Sequence, residues 1–414
     1  MKILLVNTNR YRTPPVPPLG LAHLAGALRG TAHEYRVLDL CFSDDPAAVI
    51  EKMVRDFSPR VAGLTVRNID TVISRNNVFF LDDIAVMVRC FQRLGVPVLL
   101  GGAGYSFCPE GILRYTGADW GIAGPGENAV VTFLDIIETD QPPAGTVLDG
   151  RDAGVPPFHQ AEWPPDIDLL RYMNERGILG FETQKGCTES CPYCPEGIRK
   201  ITFRNPESIV SELSAAADRG FTRFHLCDTE FNQNLEFCKT FLTTLIGTGL
   251  EITWVLYMKS SPCDEELFRL LKRSGASMVT LSLPTGDGVP GNASDICRFA
   301  KDCGIKIAVD VLVGLPGESI DTVRRTIETL RAIGPDTVGV NSTYRLYPGL
   351  AATRRIMDSP EERTYLTGCP VDDPDFIRPV FYNRISVELL REIIGDDPLF
   401  TIEGFERTSN YERV

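Results

Sequence analysis

Cys187, Cys191 and Cys194 lie in the stretch KGCTESCPYCPEG, residues 185–197, the one tight grouping among twelve cysteines. A thiol cluster of this kind in a large chain points to a metal centre in a reducing compartment rather than to a disulfide framework. Structural zinc takes four ligands, commonly as two separated pairs. No second Cys or His pair stands at a suitable spacing, and His225 is isolated. A thioredoxin-like redox pair needs CxxC alone and gives Cys187 no role. Three thiolates on one short loop can wrap three corners of a cubane [4Fe-4S] cluster, leaving one iron open to another molecule. An open cluster is the leading reading, with tetrahedral zinc as its alternative.

A loop of this kind needs a scaffold, and the rest of the chain supplies one. Residues 1–140 alternate short apolar runs with helical patterns: strands at KILLVN, EYRVLDL, VAGLTV, VPVLLGG and DWGIAG, with helices at 19–30, 46–57, near 80–94, near 109–115 and from about 127. Such alternation predicts a parallel, doubly wound sheet. Ligands of these sheets sit beyond the carboxyl ends of the strands. Those ends carry NTNRYRTPPVPP, TVRNIDT, GGAGYS and GPGEN. The glycines Gly101, Gly102, Gly124 and Gly126 would let backbone approach a large ligand, or they simply make tight turns. Residues 141–177 hold six prolines and read as an extended linker.

Alternation then resumes over 178–349. Strands are expected at 178–184, 222–227, 251–257, 277–282, 306–313 and 336–342, with helical patterns between them, four closing on glycine. Six β/α units are too few for a closed eight-fold barrel, so an open, partial barrel is expected. Residues 350–414 are too irregular to assign and are expected to cap it. The cysteine loop falls directly after the first strand of this second half, where barrel enzymes carry their chemistry.

Bulk properties narrow the field. The 414 residues carry a net charge of −13, which argues against a nucleic-acid partner, since phosphates need basic surface. No run approaches the roughly 20 apolar residues of a membrane span. The start MKILLVNTNRYRTPP lacks the pattern of a signal peptide. A cytoplasmic protein without membrane partners is expected.

CxxxCxxC after the first strand of a six-unit partial barrel resembles the radical S-adenosylmethionine (SAM) enzymes, over the whole second half. The resemblance implies that SAM chelates the open iron through its amino and carboxylate groups. An electron passed through the cluster then cleaves a carbon–sulfur bond to give a 5′-deoxyadenosyl radical. It also implies that DTEFN, 228–232, faces the SAM amino group, with Asp228 and Glu230 as candidates. Ser282 would lie near the ribose and VGLPGES near the adenine. Lys185 stands where an arginine is common. A helix-capping role is the plain alternative for these positions.

A doubly wound domain ahead of such a barrel resembles the cobalamin-binding subfamily of these enzymes, over nearly the entire chain. The segments that carry the likeness are PPVPPLGLAHLAGALR, GGAGYSFCPEGILRYTGADWGIAGPGEN and GLPGES. The implied fold is an N-terminal Rossmann-like, cobalamin-binding-type domain, a partial (β/α)6 radical SAM barrel and a small C-terminal region. Cobalamin would then meet the strand-end residues Arg67, Asn68, Gly101, Gly102, Gly124, Gly126 and Glu127. The DxHxxG signature that supplies a histidine to cobalt is absent, and no His occurs between 34 and 158. Arg67 cannot ligate cobalt; below the corrin it would exclude a lower ligand and favour methyl loss. An Arg67–Asp70 surface pair of little worth is the alternative.

Two enzymatic outcomes follow. One is a cobalamin-dependent methyltransferase of natural product biosynthesis, acting on an unreactive carbon (or phosphorus) of a small metabolite. The other keeps the first domain without using cobalamin, and dehydrates, epimerises or oxidises a sugar-like substrate. Tyr257 is the candidate catalytic residue beside Arg67, and Lys259, Tyr344 and Arg345 are further donors near strand ends. A non-catalytic cluster protein is the third reading. A flavodoxin or ferredoxin is the expected reducing partner.

Overall fold

The apolar runs of the first half assemble into one parallel sheet in a computed structural model of the chain. It describes residues 1–139, 147–153, 159–196, 201–283, 288–368, 373 and 375–404. Two compact units result, one of Met1–Thr71, Asn77–Ile178 and Asp373–Arg378, the other of Val72–Asn76, Leu179–Asp372 and Pro379–Val414.

In the first unit, β1 (Lys2–Asn7), β2 (Glu34–Asp39), β3 (Val61–Thr65), β4 (Val98–Gly101), β5 (Trp120–Ala123) and β6 (Val147–Asp149) pair in the order β2-β1-β3-β4-β5-β6. Every pairing is parallel. Central β1 buries Ile3, Leu4, Leu5 and Val6, as a strand covered on both faces must. The crossovers are α1 (Leu19–Leu28), α2 (Pro46–Phe57), α3 (Leu81–Arg93), α4 (Pro109–Thr116) and α5 (Glu127–Glu138). Local chemistry sets their ends: Asp45 caps α2 by accepting from Ala48 N at 3.1 Å, and Gly117 closes α4 with φ 73°.

The stretch expected as a linker is in part packed structure. Residues 147–149 form β6, and α6 (Leu169–Asn174) buries Leu169 and Tyr172. The Tyr172 hydroxyl donates to Asp39 Oδ2 at 2.9 Å. Burial raises the pKa of Asp39, so this acid is served by its neighbours instead of by water. QPPAG and GVPPF lie outside the described residues.

The second unit holds a parallel sheet in the order β18-β14-β13-β12-β11-β10-β7. Its strands are β7 (Leu179–Phe181), β10 (Arg223–Leu226), β11 (Thr253–Lys259), β12 (Ala276–Leu283), β13 (Lys306–Leu312), β14 (Thr337–Asn341) and β18 (Phe400–Ile402). Six were expected. The seventh, β18, comes from the region that resisted assignment and pairs Val338 with Phe400. The helices are α7 (Pro206–Asp218), α8 (Leu235–Gly247), α9 (Glu265–Arg273), α10 (Ala293–Asp302) and α11 (Ile320–Ile333), with α12 (Ala351–Asp358) and α13 (Val387–Ile394) in the C-terminal region. Residues 178–184 are not one strand. The chain leaves the sheet after Phe181, and β8 (Gln184–Lys185) pairs antiparallel with β9 (Thr202–Phe203) instead. Three short strands, β15 (Tyr344–Arg345), β16 (Leu366–Thr367) and β17 (Phe381–Tyr382), form a separate antiparallel sheet.

Strand alternation divides the large sheet into two faces. One carries Phe181, Phe224, Leu226, Trp254, Leu256, Val279, Leu281, Val309, Val338 and Val340, all buried. Trp254 sits edge-on to Phe181, Phe231 and Phe241 at 5.8–6.4 Å, and its indole N–H donates to Ser274 O at 2.9 Å. Such edge contacts add about 0.5–1.5 kcal/mol per pair beyond burial. The opposite face carries the polar His225, Tyr257, Lys259, Thr280, Ser282, Asp310 and Asn341 together with a small apolar cluster of Val255, Met278 and Ala308.

Candidate functional site

The cysteine loop runs from β8 to β9, which hold its two stems together. Cys187 is buried, and Cys191 and Cys194 are partly exposed. Cys194 N donates to Cys191 O at 3.2 Å, and Ala352 N, at the start of α12, donates to Pro192 O at 3.0 Å. The sulfur of Cys187 accepts from Glu189 N and from Gln233 Nε2, each at 3.4 Å. Among the described residues, His33, Asp135 and Glu138 alone bring three ligand atoms within 4.8 Å of one another. The three thiols are therefore spread more widely than a single tetrahedral ion takes. Three thiols on one short loop suit a polynuclear iron–sulfur cluster, for which they supply three ligands.

Asp228 and Glu230 follow the same strand and do different things. Asp228 accepts from Thr183 N at 2.7 Å, Thr183 Oγ1 at 2.5 Å and Gln184 N at 3.3 Å. It is the side chain that turns β7 out of the sheet and into the cysteine loop, so its oxygens already serve the protein. Burial pushes it up to about 7. Glu230 is half-buried, yet its Oε2 is sealed from solvent with no hydrogen-bond partner. Burial pushes Glu230 up to about 8, opposed by a hydrogen bond with Ser282 and by the charge of Lys259. A buried carboxylate oxygen without a donor costs on the order of 1–3 kcal/mol. A cationic amino group beside the cluster would supply that donor.

Strand register explains the grouping. Lys259 pairs with Ser282 and Ser282 with Asp310, so these residues form one row across the carboxyl ends of β11, β12 and β13. Tyr257 stands one layer deeper, its ring 6.0 Å from that of His225. Tyr344 and Arg345 lie elsewhere: both are buried in the small antiparallel sheet. Tyr344 packs on Tyr382 at 5.0 Å, and Arg345 donates to Leu346 O at 2.5 Å and lies over Tyr347. In VGLPGES, Glu318 accepts from Gly314 N at 2.6 Å and Leu315 N at 3.3 Å, folding the loop on its own acid.

The strand ends of the first unit are made differently. Arg67 is half-buried, Asn68 exposed and Asp70 buried after β3. Val66 O accepts from Gly104 N at 2.9 Å and Tyr105 N at 3.3 Å. Gly102 has φ 109°, and a Cβ there would lie 2.7 Å from Val66 O. Its close approach is thus to the chain's own loop, which it fixes beneath Arg67 and Asn68. Gly101 has only an ordinary contact, with Ile122 O at 3.8 Å. Gly124 N donates to Ser106 Oγ at 2.9 Å, Gly126 borders Leu24, and Glu127 is buried in the first turn of α5. The three histidines here all bond protein groups: His23 to His159 O, His33 to Met1 N and Asp135, and His159 to Asn128. The donor set therefore fits a cobalamin held without histidine, over a glycine-bearing floor of backbone that also carries Arg67, Asp70 and Glu127.

Sequence reasoning missed Gln233, whose amide reaches Cys187, and Asn232 before it. The asparagine and glutamine in DTEFNQ were the only trace. It also missed the contact of α12 with the cysteine loop, which joins residues 160 positions apart and leaves no local signal.

The described residues include no helix long and apolar enough to cross a membrane. Residues 9–134 match the B12 binding domain and residues 181–330 the radical SAM superfamily. The tryptophan 2-C-methyltransferase of Streptomyces laurentii is 25% identical over 449 residues, covering 86% of this chain and 74% of its own length. The radical SAM methyltransferase TsrM of Kitasatospora setae, with cobalamin and a [4Fe-4S] cluster bound, shares the fold at TM-score 0.86. It is 23% identical, over 97% of this chain and 92% of that one. With tryptophan and a SAM analogue bound, TsrM gives TM-score 0.83 and 24% identity, over 95% and 87%. The chain belongs to the radical SAM superfamily, among the enzymes that carry a B12-binding domain ahead of the radical SAM domain.

Proposed function

We propose that the protein is a cobalamin-dependent radical SAM methyltransferase that moves a methyl group from SAM to a small, amino-acid-like substrate. The observation that carries this is the buried, partnerless oxygen of Glu230 in the row that ends β10 to β13, in a chain whose first half matches the B12 binding domain. When bound, the cluster supplies an open iron and electrons, and cobalamin supplies a cobalt that can take up and release a methyl group.

The chain's own residues do the rest. Cys187, Cys191 and Cys194 hold the cluster, and Asp228 sets the path of the loop that carries them. Glu230 accepts from the SAM amino group, and Ser282, hydrogen-bonded to Glu230, orients it. Arg67, with Asn68 beside it, would face a bound cobalamin and, unable to ligate, would offer its cobalt no donor. Gly101, Gly102, Gly124, Gly126 and Glu127 shape the floor. Tyr257 and Asp310, on the polar face of the barrel sheet, meet the substrate; an acid there suits a substrate ammonium. A low-potential donor of the flavodoxin or ferredoxin kind delivers electrons.

The test is anaerobic reconstitution with iron, sulfide and hydroxocobalamin, then desalting. Retained corrin near one per chain is expected. Incubation with SAM and tryptophan-like amino acids should yield S-adenosylhomocysteine and a product heavier by one methylene. Cluster absorption with no retained corrin, or 5′-deoxyadenosine alone, would overturn the reading.

A further inference from the structure

Behind the cysteine loop runs a set of contacts that the proposed function leaves unused. Asn232 is fully buried. Its Nδ2 donates to Lys259 O and Pro262 O, each at 2.8 Å, and its Oδ1 accepts from Lys259 N at 3.0 Å. One side chain thereby fastens the turn at 231–233 to the end of β11 and sets Gln233 beside Lys259. Lys259 Nζ donates to Gln233 Oε1 at 3.2 Å and to Glu189 at 2.5 Å, and Thr188 Oγ1 donates to the same glutamine oxygen at 2.9 Å.

An ammonium has donors only. The amide oxygen of Gln233 must therefore face Lys259, and its NH2 must face away, where it meets the Cys187 sulfur at 3.4 Å. The choice between the two amide orientations, ordinarily an assignment, is fixed here by charge. Hydrogen bonds donated to a cluster sulfur, and positive charge nearby, favour the electron-richer reduced state.

We propose that Gln233, oriented by Lys259, is a positioning residue that sets the electron affinity of the cluster through the Cys187 sulfur. This rests on Cys187, Cys191 and Cys194 being the cluster's ligands, a reading that iron and sulfide content tests separately. Lys259 acts twice, through its charge and by preventing the amide from turning its oxygen toward sulfur.

The experiment is a redox titration of the anaerobically reconstituted enzyme, followed by electron paramagnetic resonance, with iron and sulfide measured on each sample. Gln233→Leu should shift the midpoint to more negative potential by about a tenfold change in the reduction equilibrium, ~59 mV for one electron. Lys259→Met should shift it in the same direction, and Lys259→Arg, still a pure donor, should restore it. A Gln233→Leu enzyme with full iron that titrates with the wild type overturns the proposal. Should Gln233→Leu lose iron, Lys259→Met decides: a negative shift supports the proposal and an unchanged midpoint overturns it. Loss of iron from both variants also overturns it, because the pair would then hold the loop rather than tune the cluster.

Discussion

At the ends of β3 and β4 the chain closes on its own backbone, with Gly102 and Gly104 packed under Val66–Asn68. At the ends of β10 to β13 side chains meet instead: thiols nearby, an acid with one oxygen lacking a donor, a hydroxyl and an ammonium. Both units are parallel sheets with helical crossovers, and both use the same edge. A large ligand with few charges is best met by a firm floor of backbone, which offers it surface without asking it for a charged partner. A small zwitterion such as SAM carries its own ammonium, so a site for it can hold a buried acid in waiting.

That contrast can be broken most severely at the cysteines. Replacing Cys187, Cys191 or Cys194 by Ala should abolish cluster iron and all SAM turnover while retained corrin stays near wild type. Iron content and corrin absorbance read the two units separately, and loss of both would show that the sites are not independent.

Glu230→Gln should weaken SAM binding roughly 100-fold, about 3 kcal/mol, by calorimetry, whereas Asp228→Asn should first disturb the loop. Glu230 also has a pH signature. Its folded pKa is raised from 4.5 to about 8, so its contribution to stability is full below the unfolded value and lost as pH rises through about 8. Without SAM, Glu230→Gln should gain on the wild type in melting temperature as pH rises from about 4.5 to about 8, and hold that gain above it. A constant difference would mean that the acid is solvated.

Gly102→Ala should cost about 2–3 kcal/mol in chemical denaturation, from its positive φ and the contact with Val66 O. Gly124→Ala, at φ 83° with no neighbour nearer than 3.8 Å, should cost about 1 kcal/mol. Equal costs would remove the case that Gly102 serves the chain's own loop.

Among the changes read out by turnover, Arg67→Ala should have the smallest effect, a loss of roughly tenfold in methyl transfer, ~1.4 kcal/mol. Normal cluster content and normal SAM affinity should accompany it. No change in corrin retention or methyl transfer would remove Arg67 from the site.

Much of this was legible because apolar runs of four to eight residues mark buried parallel strands, and every long strand of both sheets was read that way. β6 and β18 escaped because Val147–Asp149 and Phe400–Ile402 are three residues each and, unlike the equally short β7, do not open the β/α rhythm of either half. The cysteine loop was legible because ligand spacing is local. Asp228 and Glu230 could not be told apart, since their roles depend on which oxygen the fold leaves without a donor. Tyr344 and Arg345 looked like rim donors because β14 and β15 are adjacent in sequence, yet the second belongs to another sheet.

The strand β18 has one more consequence. It covers the outer edge of β14, where Val338 N and Glu403 N make the joining bonds to Leu399 O and Val340 O. On the ribosome, β14 emerges well before its cover and meanwhile offers a bare strand to any other nascent chain. Slowing translation between residues 341 and 400 should therefore send more of the protein into inclusion bodies.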